Sequence, residues 1–304
     1  MIDLETLIHD ALERNASDIH LTVGEPPVFR LDGELTNFGE VPLTEADTTA
    51  YVQELITPGL LKEFHEMGEA DFAVTYHDLV RMRCNVFRQR GMTSLALRLL
   101  PLRIATAEEL GLPPVVVAQA DKPRGLVLVT GPTGSGKSST LAALLDHINH
   151  TERRHIITLE EPIEYLHTSD QCIINQREVG ADTSSFAAGL RAALRQDPDV
   201  ILVGEMRDLE TISTAITAAE TGHLVFGTLH TKGAANTIDR IIDSFPAEQQ
   251  NQIRIQLADV LECAVGQTLL PKIGGGRLLS QVCRPVLNLS GSLAAARAVS
   301  SEIT

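Results

Sequence analysis

A glycine-rich octapeptide has the clearest chemical pattern in the sequence. Residues 131–138 read Gly-Pro-Thr-Gly-Ser-Gly-Lys-Ser, which matches the phosphate-binding loop G-x-x-x-x-G-K-[ST] at every fixed position. The glycines allow backbone N–H groups to surround a β-phosphate, and the helix expected after the loop adds positive dipole charge. Lys137 would reach the β- and γ-phosphates, and the Ser138 hydroxyl would ligate Mg²⁺. The residues predicted to contact ATP are Gly131, Pro132, Thr133, Gly134, Ser135, Gly136, Lys137, Ser138 and Ser139.

Two acidic groups follow short apolar runs further along the chain. The run 200–203 leads into Gly-Glu, the Walker B pattern, so Glu205 is placed to hold Mg²⁺ through its bound water. The run 156–159 leads into Glu-Glu-Pro-Ile-Glu at 160–164. One of these three carboxylates is expected to polarise an attacking water, and the spacing does not select which. The first two also fit an acidic pair at the start of a helix.

Histidines and arginines form two further groups. His223 and His230 flank the apolar run 224–228 at a separation that is not a metal-ligand spacing, and each alone fits a hydrogen-bonded structural histidine. The arginines are either a solvated basic face or arginine fingers for a γ-phosphate. On a strand, Arg81 and Arg83 would share one face. They are Arg81, Arg83, Arg88, Arg90 and Arg98.

The elements that must position these groups divide the chain into two parts. Residues 1–100 have the pattern of a small α+β domain, and 101–123 of a linker with one short helix. From residue 124, short apolar strands alternate with helices, which predicts a parallel sheet covered on both faces. The first part is predicted to contain a helix at 4–12, a strand at 19–23, a hairpin at 28–38 around Asp32-Gly33, a helix at 45–66, and strands at 71–76, 81–88 and 94–100. The second is predicted to contain strands at 126–130, 156–159, 200–203 and 224–228 and a helix at 138–149.

Composition argues against several function classes. The net charge of −15, the absence of Trp and an aromatic content of 4% disfavour nucleic acid as a partner. No stretch is apolar enough to cross a membrane, and residues 1–13 lack the features of a secretory signal. We therefore expect a cytoplasmic protein without direct membrane insertion. The cysteines contain no C-x-x-C pair and fit reduced core residues; they are Cys84, Cys172, Cys263 and Cys283.

Together these motifs resemble the type II/IV secretion ATPase superfamily and, within it, the PilT-like retraction ATPases of type IV pili. Four motifs carry the resemblance most strongly: GPTGSGKSS, ITLEEPIEYLH, LRQDPDVILVGEMRD and TAAETGHLVFGTLHT. Further matches are ASDIHL at 16–21, VFRLDG at 28–33, INQREVG at 174–180, the segment 239–259 and QTLLPKIGGGR at 267–277. The resemblance implies an α/β protein with a PAS-like N-terminal domain and a RecA-like P-loop domain at 124–277. It also implies a homo-hexameric ring that binds ATP and Mg²⁺ between the two domains.

The resemblance also implies roles for individual residues. Glu164 would activate the attacking water, and Glu205 would be the Walker B glutamate. His223 and His230 would sense the nucleotide and couple it to domain motion. Four arginines would contact the γ-phosphate region, namely Arg83, Arg98, Arg88 and Arg90.

Three departures from the family pattern bear on function. The acidic motif reads Glu160-Glu161-Pro162 in place of Glu-Asp-Pro, which keeps the charge. A tetracysteine zinc element, present in assembly-type relatives, is absent, which favours the retraction branch. The match ends near Arg277, so 278–304 is expected to be a divergent, truncated or frameshifted tail.

These observations imply an ATPase motor for pilus retraction that reaches the inner membrane through a platform protein. An alternative is a nucleotide-binding ring subunit or regulator with weak turnover, because the family's C-terminal motif is missing. A RecA-like nucleic-acid motor fits the acidic charge poorly.

Overall fold

The chain folds into two compact units, Met1–Arg103 and Ile104–Thr304, in a computed structural model that describes residues 2–100, 102–231, 233–271 and 277–285. Within these residues, no helix is both long and apolar enough to cross a membrane. Cys84, Cys172 and Cys263 are buried, whereas the side chain of Cys283 lies outside the described part of the chain.

The first unit contains a six-stranded antiparallel sheet with the order β3-β2-β1-β6-β5-β4. Its strands are β1 Asp18–Thr22, β2 Val28–Leu31, β3 Glu34–Asn37, β4 Glu69–Tyr76, β5 Val80–Gln89 and β6 Met92–Leu100. Its helices are α1 Leu4–Glu13, α2 Glu45–Leu55 and α3 Pro58–Met67. Alternate strand residues such as Ile19, Met82 and Leu97 are buried in one core with the apolar face of α1. The opposite face of the sheet is therefore left for polar and charged side chains.

Two predictions for this unit have different outcomes. The hairpin is confirmed, and Asp32 and Gly33 form its turn with φ values of 48° and 95°. The single helix at 45–66 is wrong, because α2 ends before Ile56, which is extended with ψ of 139°. Pro58 then occupies the first turn of α3. Proline disfavours a helical residue before it, so the chain must leave the helix and begin a new one.

The second unit contains a seven-stranded sheet with the order β13-β12-β7-β11-β10-β8-β9. All neighbours pair in parallel except β12 and β13, which are antiparallel. The strands are β7 Gly125–Thr130, β8 His155–Glu160, β9 Ile173–Glu178, β10 Val200–Val203, β11 Leu224–Leu229, β12 Leu261–Pro271 and β13 Arg277–Pro285. The helices are α4 Pro114–Val117, α5 Lys137–Thr151, α6 Phe186–Ala193, α7 Leu209–Glu220, α8 Ala234–Asp243 and α9 Ala247–Val260.

The central strands of this sheet are buried on both faces, which confirms the predicted parallel sheet. Leu126 and Leu128 enter one hydrophobic cluster, while Val127 and Val129 of the same strand enter another. Parallel strands all end on the same side of a sheet. The residues that follow β7, β8, β10 and β11 therefore lie together at the carboxyl end of this sheet.

Three strands of this unit have no counterpart in the sequence predictions. β9 is rich in Asn, Gln, Arg and Glu and lacks the apolar run of a buried strand. β12 and β13 form a hairpin at the side of the sheet opposite β9. Strand β13 covers residues that the sequence predicted to be the start of a tail. Residues 286–304 of that predicted tail lie outside the described residues. The predicted linker contains its short helix, α4, whose Val116 packs into the core of the second unit.

Candidate nucleotide-binding site

The glycine-rich loop connects the end of β7 at Thr130 to the start of α5 at Lys137, the context that the motif requires. Gly131 has φ of 150°, and a Cβ atom there would lie 2.3 Å from the backbone oxygen of Gln267. Gly136 has φ of 87°. The loop thus takes a path that side chains at these two positions would block.

Lys137 is the first residue of α5 and is 9% exposed. Its Nζ donates hydrogen bonds to the carbonyl oxygens of Gly131 at 2.9 Å and Pro132 at 3.1 Å. Burial lowers the pKa of Lys137, and the negative charges of Glu205 and Glu164 oppose that shift. Carboxylates that are distant in sequence therefore act on this ammonium group.

The remaining loop residues differ in exposure, and Ser135 is buried. Pro132, Thr133 and Gly134 are exposed, as is Ser138 on the first turn of α5. The Oγ of Ser139 shares a 2.7 Å hydrogen bond with the hydroxyl of Tyr165. Thus Tyr165 ties the segment after β8 to the loop helix, a role that sequence analysis did not identify.

Glu205 directly follows the buried strand β10 and Gly204, and only 16% of its side chain is exposed. Its Oε1 lies 2.5 Å from the Nε of Arg207 and 3.2 Å from the Nε2 of His230. The bond to Glu205 raises the pKa of Arg207. The structure therefore brings Glu205 and His230 together and adds Arg207, which the sequence analysis missed.

The three carboxylates at and after the end of β8 have different environments. Glu160 is the last residue of β8 and is partly buried, and its Oε1 accepts hydrogen bonds from Thr158 Oγ1 at 2.6 Å and Gln176 Nε2 at 3.1 Å. Burial raises its pKa, more than those hydrogen bonds lower it. Glu161 is exposed, whereas Glu164 is half-buried and interacts with Lys137. No helix begins at this point, so the interpretation of Glu160 and Glu161 as a helix-capping pair is wrong.

Strand β9 fastens this acidic segment to the sheet. Gln176 donates from Nε2 to the backbone oxygen of Tyr165 at 2.8 Å, and its Oε1 accepts from the backbone N–H of His167 at 2.8 Å. The carboxylate of Glu178 accepts from the N–H of Ile163 at 3.0 Å. The signal for this role was present in the INQREVG motif, but hydrophobic patterning did not reveal it as a strand.

The two histidines lie at opposite ends of β11. His230 follows the strand and contacts Glu205, as above, whereas His223 precedes it. The Nδ1 of His223 lies 2.9 Å from the backbone oxygen of Ala218 and 3.3 Å from Thr221 Oγ1. Since a six-residue strand is about 20 Å long, His223 is remote from the loop.

Two of the predicted arginines, Arg83 and Arg98, are neighbours on one face of the first unit's sheet. They are paired in register across β5 and β6. Arg83 binds both carboxylate oxygens of Asp71, at 2.7 and 3.3 Å, and Arg98 Nε binds Asp18 at 2.9 Å. Arg81 lies on this same face and donates to Thr75 at 3.2 Å. The structure therefore groups Arg83 with Arg98, each paired to a carboxylate.

The other two arginines do not join that group. The guanidinium of Arg88 lies 5.5 Å from the ring centroid of Phe64, on the core face of the sheet. Arg90 is exposed in the turn after β5, with φ of 52°. As a result, the four predicted contacts of the γ-phosphate region do not form one cluster.

Together the loop, the strand-end acids and the mixed sheet define a P-loop nucleotide-binding protein. A family model described as "Type II/IV secretion system protein" matches residues 1–284. The chain belongs to this family.

Individual proteins show the same relationship. The chain is 50% identical over 277 residues to the type IV pilus retraction ATPase PilT of Pseudomonas aeruginosa, covering 91% of this chain and 80% of that protein. It is 45% identical over 255 residues to a twitching motility protein of Neisseria gonorrhoeae, covering 84% and 68% of the two chains. A crystal structure of the pilus retraction motor PilT with bound ADP superposes with a TM-score of 0.91, at 48% identity, over 99% of this chain and 87% of that one.

The burial of Glu160 predicts a specific pH dependence of stability. Its folded-state pKa is raised above the ordinary value of 4.5, so its favourable contribution is complete below pH 4.5 and is lost as pH rises through the folded pKa. We expect the melting temperature of Glu160→Gln, relative to wild type, to increase as pH rises from 4.5, because glutamine cannot ionise. Thermal unfolding followed by circular dichroism measures this difference.

The matched control is Glu161→Gln, because Glu161 is adjacent to Glu160 and is exposed. Its melting temperature should follow that of wild type across the same pH range. A constant difference between Glu160→Gln and wild type at all pH values would show that Glu160 does not titrate as described.

Proposed function

We propose that this chain is a subunit of a homo-hexameric, Mg²⁺-dependent ATPase whose hydrolysis of ATP drives type IV pilus retraction and twitching motility. The observation that carries the enzymatic part is that the phosphate loop after β7, Glu164 after β8 and Glu205 after β10 all follow the carboxyl ends of strands in one parallel sheet, and both carboxylates act electrostatically on Lys137 of the loop. Family membership and the similarity to pilus retraction proteins support the biological role.

The loop binds the triphosphate of ATP in this proposal. In the described structure, Lys137 donates to two loop carbonyls. A phosphate oxygen carries more negative charge than a carbonyl and forms the stronger bond with an ammonium group. Binding therefore transfers Lys137 from the loop carbonyls to the β- and γ-phosphates.

The site has oxygen donors that suit Mg²⁺. The Ser138 hydroxyl is exposed at the start of α5, and Glu205 presents a carboxylate at the end of β10. Such hard oxygen ligands, completed by water and phosphate, are those that Mg²⁺ prefers. When bound, the ion neutralises charge that develops on the phosphates. Glu205 would hold the ion through its bound water and would not contact the attacking water.

Glu164 is the residue that we assign to the attacking water. The Oε1 of Glu160 already accepts hydrogen bonds from Thr158 and Gln176, which leaves this carboxylate less available to substrate water. Glu161 is exposed, and its charge is among those that act on Arg207. Glu164 is also partly buried, and its negative charge acts on Lys137 of the loop. It can accept the proton of a water that attacks the γ-phosphorus in line.

His230 and Arg207 adjust Glu205. Both contact the same oxygen, Oε1 of Glu205, so any movement of that carboxylate toward metal-bound water changes both contacts. This supports His230 as the nucleotide sensor. His223 contacts Ala218 in α7 instead. An effect of His223 on the nucleotide would therefore be indirect, through the positions of β11 and α7.

Arg83 and Arg98 are our proposed arginine fingers. Their side chains are 39% and 55% exposed, and each guanidinium binds a carboxylate that a phosphate can replace. The stacking of Arg88 on Phe64 and the turn position of Arg90 favour these two less.

The remaining assignments follow the family. We propose a PAS-like domain at 1–100, a linker at 101–123 and a RecA-like domain beginning at residue 124. The ring would be cytoplasmic and would act through an inner-membrane platform protein of the pilus machine, without nucleic acid.

The catalytic assignment predicts the behaviour of Glu164→Gln. Because the amide cannot accept the water's proton, steady-state ATPase turnover should fall by about a hundredfold or more, with ADP binding retained. Glu161→Gln is the matched control and should keep most of the turnover. Equal loss in both variants would contradict the choice of Glu164, and negligible turnover in wild type would favour the regulator.

The contact between Tyr165 and Ser139 predicts a second effect on turnover. Tyr165→Phe removes one hydrogen bond that holds the segment bearing Glu164, so kcat should fall about three- to tenfold while the KM for ATP changes little. Ser139→Ala should have the same effect, and the double variant should lose no more than either single variant.

The matched control for Tyr165→Phe is Leu166→Ala at the exposed neighbouring position, which should leave kcat near wild type. Additive losses in the double variant would mean that the two hydroxyls act separately.

The biological role predicts a result in cells. A twitching-deficient strain lacking its retraction ATPase should regain motility when it expresses this chain, and should not regain it with Lys137→Ala. Motility on agar and pilus number on the cell surface measure this. ATP turnover in vitro without restored motility, at equal protein levels, would separate the enzyme from the retraction function.

A further inference from the structure

The β12–β13 hairpin lies beside the strand that leads into the phosphate loop. β12 pairs in parallel with β7 up to Gly266 opposite Thr130. Gln267 is the next residue of β12, and it is 3% exposed. A polar side chain so deeply buried needs hydrogen-bond partners, and those of Gln267 belong to the loop, to α5 and to β13.

The side-chain amide of Gln267 makes three hydrogen bonds. Its Nε2 donates to the backbone oxygen of Ser135 at 2.8 Å. Its Oε1 accepts from Thr140 Oγ1 on α5 at 3.1 Å and from the Nε2 of Gln281 on β13 at 3.1 Å. Because a backbone oxygen only accepts, the amide nitrogen must be the group that faces Ser135.

The bond to Ser135 fixes the direction of a neighbouring N–H group. The carbonyl of Ser135 and the N–H of Gly136 belong to one planar trans peptide, so they point in opposite directions. Holding this carbonyl toward Gln267 turns the N–H of Gly136 away from Gln267. In a phosphate loop of this type, such N–H groups contact the β-phosphate.

The backbone also leaves no room between this residue and the loop. A Cβ at Gly131 would meet the backbone oxygen of Gln267 at 2.3 Å, and a Cβ at Gly136 would meet its Nε2 at 3.0 Å. Gln267 therefore packs directly against two glycines of the phosphate loop. The side chain of Leu279 on β13 lies 3.8 Å from the same Gly136 position.

We propose that Gln267 is a positioning residue of the nucleotide site, which holds the Ser135–Gly136 peptide so that its N–H is directed at the β-phosphate. Gln281, its register partner on β13, orients the Gln267 amide in turn. The β12–β13 hairpin is thus part of the nucleotide-binding site. This inference rests on the proposed binding of ATP at the loop.

The test uses ADP as the probe, because ADP keeps the β-phosphate. Gln267→Met preserves length and approximate volume but removes the donor, whereas Gln267→Glu keeps an acceptor and places negative charge against the Ser135 oxygen. We expect the Kd for ADP of the full chain to rise about tenfold in the first variant and further in the second. Gln281→Met should raise it about threefold. Calorimetric titration gives these values, and melting temperature reports the fold.

The matched control is Thr268→Ala, because Thr268 is the exposed next residue of β12. It should bind ADP as wild type does. In the ATPase assay, the Gln267 variants should raise the KM for ATP more than they lower kcat, a split that general destabilisation does not produce.

Several outcomes decide the proposal. Unchanged ADP affinity in a folded Gln267→Met or Gln267→Glu protein overturns it. If neither variant folds, unchanged affinity in Gln281→Met overturns it. Failure of wild type to bind ADP would instead refute the proposed nucleotide site, so the two failures are distinguishable.

Discussion

The site depends on keeping a charged ammonium group in a partly desolvated loop. Burial disfavours the charge on Lys137, while two loop carbonyls and the negative charges of Glu164 and Glu205 offset that cost. The parallel sheet makes this arrangement possible, because the loop and both acids follow the carboxyl ends of β7, β8 and β10, which lie on one side of the sheet. If any of these strand ends lay elsewhere, Lys137 would have fewer compensating charges and the phosphates would lack their catalytic groups.

Around this centre, neighbouring strands and helices hold the loop and the acidic segment in place. β9 fastens the acidic segment through Gln176, Tyr165 ties that segment to α5, and Gln267 holds the loop from β12. Each contact is a single hydrogen bond or a small set, worth on the order of 1 kcal/mol apiece. Their effect is to restrict geometry, since effective catalysis needs groups held close to their reacting positions. Contacts from β9 on one side of the sheet and from β12 on the other therefore position the residues of the site.

Sequence reasoning predicted the parts of this site that are local. The loop, the strand before it and the helix after it are read from consecutive residues, as is the acid after β10. It did not reveal the partners that lie far along the chain, because nothing local links Ser135 to Gln267, which are 132 residues apart. Hydrophobic patterning also missed β9, whose polar residues serve the site rather than the core. His223 and His230 flank β11 as the sequence predicted, and only His230 lies at the strand end that carries the site.

The central claim is that one nucleotide is bound between the lysine of the loop and the two strand-end glutamates. A structure of the full chain with Mg²⁺ and a non-hydrolysable ATP analogue tests it most directly. The account predicts that Lys137 leaves the carbonyls of Gly131 and Pro132 for phosphate oxygens. It also predicts that Glu164 lies one bridging water from the γ-phosphorus. A γ-phosphate far from both Glu164 and Glu205, or a nucleotide bound elsewhere, would contradict it.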